Sequence, residues 1–229
     1  MLNNTINDFR YTKSNTTMNA PSQRYDSERI LYNNATIAEY LALEAQSDYR
    51  HEYEAGRIRA MSGGTLQHSH LAGKIVTFIN QEVDRQGKPC MVFTSDARVF
   101  ISGQQRFYYP DASLVCGPLE TAKEDPHSLV NPQLIVEVLS ASTEGRDRGD
   151  KLHAYSQLAS FREYLLIDSR QVRVDLFSRN EEGAWRFAMH TQPEDRVWLQ
   201  TLETHLLVEA LYRDLDLFAT EGATGDYPQ

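Results

Sequence analysis

Leu134-Ile135-Val136-Glu137-Val138-Leu139-Ser140, read with Glu163-Tyr164-Leu165-Leu166-Ile167-Asp168 downstream, decides the fold of this chain. Each run is short, continuous and apolar, the pattern of a strand covered on both faces. Between them, Leu152, Tyr155 and Leu158 recur at helical spacing and the run ends near Ser160. Strand, helix and strand over this distance form a βαβ unit, so the two strands are expected to lie parallel in one sheet. The first strand carries an acid, Glu137, and a carboxylate inside an apolar strand is costly to bury unless it is paired or bound to a metal.

Upstream, Phe107-Tyr108-Tyr109-Pro110-Asp111-Ala112-Ser113-Leu114-Val115 reads as an aromatic-rich strand that also carries one acid, Asp111. Val92 to Ile101 alternates like a strand, and Ser102-Gly103-Gln104-Gln105 turns it back onto the Phe107–Cys116 strand as an antiparallel pair. Thr65 to Gly87 is the clearest long helix, with Leu71, Ile75, Phe78, Ile79 and Val83 on one face and Gly87 and Pro89 as stop signals. Arg50 to Met61 reads as a hairpin turning at Ala55-Gly56. Thr36 caps a short amphipathic helix built on Ile37, Tyr40 and Leu41.

Downstream of the βαβ unit, Val172–Phe177 and Trp185–His190 alternate like outer antiparallel strands. Leu202, Leu206, Leu207, Leu211 and Leu215 predict a C-terminal helix. Residues 1–34, rich in Asn, Ser and Thr, are expected to be a disordered tail, 35–218 a single domain, and 219–229 a second tail. The expected fold is α/β, with a mixed central β-sheet flanked by α-helices, an N-terminal helix and added β-hairpins.

The chain has 229 residues, enough for one well-filled core. Its net charge of −9 argues at first against a nucleic-acid partner. The distribution softens that argument: 10 acids against 3 arginines fall between Glu181 and Gln229, so −7 lies in the last quarter. Between Glu144 and Arg173 there are 6 Lys/Arg and 5 Asp/Glu. Charge therefore neither selects nor excludes a phosphodiester substrate. Two cysteines, Cys90 and Cys116, are too few for a disulfide framework or a zinc site, and the expectation is reduced thiols in the cytoplasm. No apolar run is long enough to span a bilayer, and the N-terminus does not read as a signal peptide.

Two apolar strands, each with one acid, followed by Asp147-Arg148-Gly149-Asp150-Lys151 at a helix start, point to a metal-dependent hydrolytic site. Tyr109-Pro110-Asp111, then Glu137 and a nearby lysine, resembles the PD-(D/E)XK nuclease superfamily. The ordered blocks resemble more closely the Uma2 family, endonuclease-like proteins common in cyanobacteria. Those blocks are Glu52-Tyr53-Glu54-Ala55-Gly56, Met61-Ser62-Gly63-Gly64 with His68, Tyr109-Pro110-Asp111, Val136 to Thr143, and Asp147 to Lys151. Together they span about Thr36 to Leu217. One departure stands out: the superfamily's lysine follows the acid by two residues, and Leu139 holds that position here. In this family the lysine has moved to the following helix, which makes Lys151 the candidate.

The resemblance implies a restriction-endonuclease-like core and hydrolysis of DNA phosphodiester bonds with Mg²⁺, or Mn²⁺ in its place. Asp111 and Glu137 are the expected metal ligands, with the Val138 carbonyl as a third oxygen. Lys151 is expected to orient the attacking water or stabilise charge on the phosphate. Glu52 is the candidate for a further acid at the site, by analogy with an extra glutamate in such nucleases. His68 reads as a helix-start residue with the option of a hydrogen bond to a site carboxylate. Dimerisation would suit a two-strand cut, although no interface is legible. The competing expectation is a binding or regulatory module that keeps the fold without chemistry, which metal titration would distinguish.

Overall fold

A computed structural model describes residues 30–61, 63–215 and 217. In chain order the elements are β1 (Ile30–Tyr32), α1 (Ile37–Glu44), β2 (His51–Glu54), β3 (Arg57–Ala60), α2 (Leu66–Gln86), β4 (Cys90–Thr94), β5 (Arg98–Ile101), β6 (Arg106–Tyr108) and β7 (Ala112–Cys116). There follow β8 (Ser128–Leu129), β9 (Leu134–Leu139), α3 (Glu144–Arg146), a π-helical turn (Asp147–Lys151), α4 (Leu152–Tyr155) and β10 (Glu163–Asp168). The chain closes with β11 (Val174–Arg179), β12 (Trp185–His190), β13 (Arg196–Leu199), β14 (Thr204–Leu207) and α5 (Val208–Tyr212).

The central sheet is mixed and six-stranded, in the order β12-β11-β10-β9-β7-β4. The βαβ reading holds: β9 and β10 are parallel, with Glu163 opposite Leu134 and Asp168 opposite Leu139. All other pairs in this sheet are antiparallel. A second sheet, β1-β3-β2-β6-β5-β8, carries the N-terminal hairpin, whose turn residues Ala55 and Gly56 both have positive φ, 44° and 97°. That backbone is cheap for glycine and strained for alanine.

Strand alternation divides the core. Leu134, Val136 and Val138 of β9 join Leu71, Ile75 and Ile79 of α2 on one face of the central sheet. Ile135 and Leu139 join Tyr155, Phe161 and Tyr164 on the other. Glu137 shares the parity of that second pair and so belongs to the second face. A third cluster packs Tyr40 of α1 against Tyr53, Phe100 and Phe107 of the second sheet. Helix α2 follows its sequence signals closely: Thr65 Oγ1 accepts from the His68 N–H, and Gly87 closes the helix in the left-handed region at φ 61°.

Several expectations are corrected. The strands expected over Val92–Ile101 and Phe107–Cys116 are each divided between the two sheets. β4 pairs with β7 in the central sheet and β5 with β6 in the other. Tyr109-Pro110-Asp111 is therefore where the chain crosses from one sheet to the other. The C-terminal leucines form the β13–β14 hairpin and only a short helix, α5. Leu202 and Leu206 reach the core from a turn and a strand, not from one helical stripe. Cys90 and Cys116 lie directly opposite each other on β4 and β7 and form a disulfide, which overturns the expectation of two separate reduced thiols. Ile30–Tyr32, inside the stretch expected as a tail, pairs with β3, and 1–29 and 218–229 lie outside the described residues. Among the described residues no helix is long and apolar enough to cross a membrane.

Candidate active site

The site residues come together where the two sheets, the start of α2 and the π-helical turn meet. β7 runs antiparallel to β9 with Ala112 opposite Val136, so Asp111, one step earlier, falls beside Glu137 on the same face of the sheet. Asp111 is held through Oδ2, which accepts the Val138 N–H at 2.7 Å and lies 3.3 Å from His68 Nε2. The Val138 amide thus fixes the first acid against the strand that carries the second. His68 is brought there by the capped start of α2, and its ring lies against Gly64, where an added Cβ would sit 2.6 Å from Nδ1. Burial works to lower the His68 pKa, but the hydrogen bond and charge of Asp111, helped by Asp147, raise it overall.

Glu137 is 4% exposed, in the middle of β9. Its Oε1 accepts from Lys151 Nζ and from the Tyr155 hydroxyl, both at 3.1 Å. Burial pushes its carboxyl well above the ordinary range. The Lys151 ammonium opposes that shift, and the charges of Asp147, Asp111 and Glu52 add to it. Lys151 is 5% exposed and sits among three acids, with Nζ 3.0 Å from Glu52 Oε1, 3.0 Å from Asp147 Oδ1 and 3.1 Å from Glu137 Oε1. Burial would lower the lysine, but Asp147, Glu137 and Glu52 raise it well above its usual value, so it is an ammonium. It also lies 5.5 Å from the centroid of the Tyr108 ring.

A second arrangement fixes Glu52. On β2, Glu52 and Glu54 point to one side, and Arg146 bridges them through Nη2, 2.7 Å from Glu52 Oε2 and 2.6 Å from Glu54 Oε1. Glu54 also accepts from the Tyr108 hydroxyl at 3.1 Å and from Arg59 Nε at 3.4 Å. Alternation along the strand explains this: His51 and Tyr53 take the opposite face, where His51 meets Glu44 of α1 at 2.7 Å.

Of the residues singled out in the sequence, Lys151 contacts both Glu137 and Glu52, and Asp111 lies beside Glu137 through its neighbouring strand position, with His68 against it. Asp96, on the turn between β4 and β5, pairs with Arg50 and not with this cluster. Three participants carried no signal of their own. Asp147, Arg146 and Tyr155 read as ordinary members of a charged, amphipathic helix start. Asp147 and Lys151, four residues apart on the π-helical turn, both turn inward. The Asp147 carbonyl accepts from the Tyr164 hydroxyl at 3.0 Å, which anchors that turn to β10.

Hard carboxylate oxygens suit a divalent cation such as Mg²⁺. Two features of the side chains fit one: acids outnumber the cations among them, and buried Asp147 Oδ1, although near Lys151, is not aligned for any hydrogen bond. Among the described residues no three His, Cys, Asp or Glu side chains stand in metal-holding geometry, and the Lys151 ammonium pairs with both Glu52 and Glu137. The donors therefore fit a cation in chemistry and charge, with the lysine placed among them.

Comparison with known proteins bears on the family and the fold. The profile of Uma2, described as "Putative restriction endonuclease", matches residues 37–209. The "Uncharacterized protein slr1290" of Synechocystis is 34% identical over 177 residues, covering 77% of this chain and 90% of that protein. A second Synechocystis protein, "Uncharacterized protein sll1609", is 31% identical over 151 residues, covering 66% of this chain and 84% of its own length. A crystal structure from Anabaena variabilis, described as "a putative nuclease belonging to DUF820", superposes with a TM-score of 0.65 and 19% identity. It covers 78% of this chain and 98% of its own, a likeness of fold.

Proposed function

The chain belongs to the Uma2 family, and from that membership and the acid cluster we propose that it is a divalent-cation-dependent endonuclease hydrolysing DNA phosphodiester bonds. The observation that carries the reading is the buried ammonium of Lys151 held at 3.0–3.1 Å among Glu52, Glu137 and Asp147, beside Asp111. Such an arrangement is expensive in a merely structural interior, where apolar residues of similar volume serve as well or better.

In this reading Asp111 and Glu137 hold Mg²⁺, or Mn²⁺ in its place. When bound, the cation supplies Lewis acidity and lowers the pKa of a coordinated water. The chain's own groups do the rest. His68 and the Val138 N–H fix the orientation of Asp111, and Tyr155 fixes Glu137. Lys151 offers positive charge to a phosphate whose negative charge grows during attack. Glu52, held by Arg146, steadies the lysine and stands as the further acid of the site. The nuclease class follows from the family, whereas DNA as substrate and the cation are our inference. A fold that has kept its acids without chemistry is the competing reading, favoured by the satisfied pairing of Lys151.

The test is a cleavage assay on supercoiled plasmid and branched DNA with Mg²⁺ or Mn²⁺, beside Glu137→Ala. Cation-dependent nicking by the wild type, lost in the variant while the circular dichroism spectrum is kept, is the expected result. Equal cleavage by both proteins would end the assignment.

A further inference from the structure

Lys151 already holds Glu137, one of the two acids that the cation would need. Three carboxylates from three separate elements, β2, β9 and the π-helical turn, surround its nitrogen at almost equal distances, 3.0, 3.1 and 3.0 Å. An ammonium there offsets buried negative charge, as a metal ion would. A divalent cation brought to Glu137 would be repelled by this ammonium at low dielectric, so the two compete for that carboxylate.

The structure also offers the lysine somewhere to go. Asp147 lies four residues before Lys151 on the same turn, is 2% exposed, and its Oδ1 already stands 3.0 Å from Nζ as an ion-pair partner. The same ammonium donates to Glu137 Oε1 at 3.1 Å, and its three N–H groups face three acids. Were Glu137 given up to a cation, Asp147 would keep the ammonium paired.

We infer that Lys151 is a built-in competitor for the divalent cation, and that cation entry at Glu137 hands the ammonium over to Asp147. This rests on the cation-dependent reading above and adds to it an exchange of partners within the chain. Asp147 is then a positioning residue for the lysine and not a ligand.

The experiment is calorimetric titration of Mn²⁺ into the full chain at pH 8, without DNA, for the wild type, Lys151→Met, Asp147→Asn and the double variant. Removing the competing charge should tighten Mn²⁺ binding at least about tenfold in Lys151→Met. Asp147→Asn should weaken binding by about tenfold in the wild type, yet by less than about threefold in the Lys151→Met background, since the two act as one unit. Comparable weakening in both backgrounds would make Asp147 a ligand and overturn the hand-over. Wild-type binding with equal or weaker binding by Lys151→Met would overturn the competition and leave the cation reading intact. No binding by any of the four would overturn both. A second measurement needs no folded variant: the side-chain ammonium resonance of Lys151 should shift as Mg²⁺ is titrated into wild type, and an unchanged resonance at saturation contradicts the inference.

Discussion

Replacing Arg146 by methionine tests how the site is built. The guanidinium is 12% exposed and bridges two acids that are 5% and 4% exposed, at 2.7 and 2.6 Å. Removing one partner of a buried ion pair costs about 3–5 kcal/mol, because the remaining charge stays buried and unmatched. Here both acids keep other partners. Glu52 retains Lys151 at 3.0 Å, and Glu54 retains the Tyr108 hydroxyl at 3.1 Å and Arg59 at 3.4 Å. The lower end applies, about 3 kcal/mol, which for a domain of this size is a fall of roughly 6–12 °C in Tm. Urea unfolding followed by tryptophan fluorescence measures it. The pH dependence adds a sign. Burial raises the Glu54 carboxyl, but Arg146, Arg59 and Tyr108 together bring it below its ordinary value. Its contribution is therefore present above the unfolded value of about 4.5 and is lost as pH falls through the lowered folded value. The gap between wild type and Arg146→Met should be full at neutral pH and narrow under acid. Adding Glu52→Gln to Arg146→Met should restore part of the loss. A loss below about 1 kcal/mol at pH 7 would refute the claim that this arginine holds the acids in place.

Other consequences are as specific. Gly64→Ala places a methyl group against the His68 ring, so the contact with Asp111 should be lost, and cation affinity should fall while Tm changes little; unchanged affinity would show that His68 does not position the acid. The raised His68 pKa means that its stabilisation is complete below about pH 6.5 and lost as pH rises through the folded value. His68→Gln should therefore lie closest to wild-type stability at alkaline pH and furthest from it in mild acid, and parallel profiles would contradict the pairing. Reducing the Cys90–Cys116 bridge, which closes a separation of 26 residues, should lower stability by roughly 3.5 kcal/mol on the chain-entropy estimate, and a Tm indifferent to dithiothreitol would speak against the bridge.

What the sequence made legible was whatever local chemistry dictates. Thr65 and Gly87 bracket α2 because a hydroxyl cap and a left-handed glycine are needed at those two ends, and the apolar spacing between them has only one period. The βαβ unit was legible for a similar reason, since two doubly covered strands around a short helix leave few ways to connect. The division of two long strands between two sheets was not legible, because alternation along a strand is the same whichever sheet it joins. The leucines after Leu202 failed differently: their spacing suits a helix, yet Thr204–Leu207 pairs with β13 and buries Leu206 from a strand. The facing of Cys90 and Cys116 depends on register, which spacing alone does not reveal.

The candidate site followed the same division. Glu137 stood out because its strand is apolar throughout, and Asp111 because it follows Tyr109-Pro110 at a strand end. Lys151 and Glu52 owed their selection to the family resemblance, and the structure brings both to Glu137 through the lysine. Asp147 was hidden by its company, one acid among several charges at a helix start. Its burial comes from tertiary packing, with β10 supplying the Tyr164 hydroxyl to its carbonyl.

The most direct test is a crystal of the protein soaked in Mn²⁺ and measured at the manganese absorption edge. An anomalous peak within coordination distance of both Asp111 and Glu137, with the Lys151 ammonium moved onto Asp147, is the expected result. A peak elsewhere on the surface, or none with Lys151 still against Glu137, would contradict the assignment of these two acids as the cation's ligands.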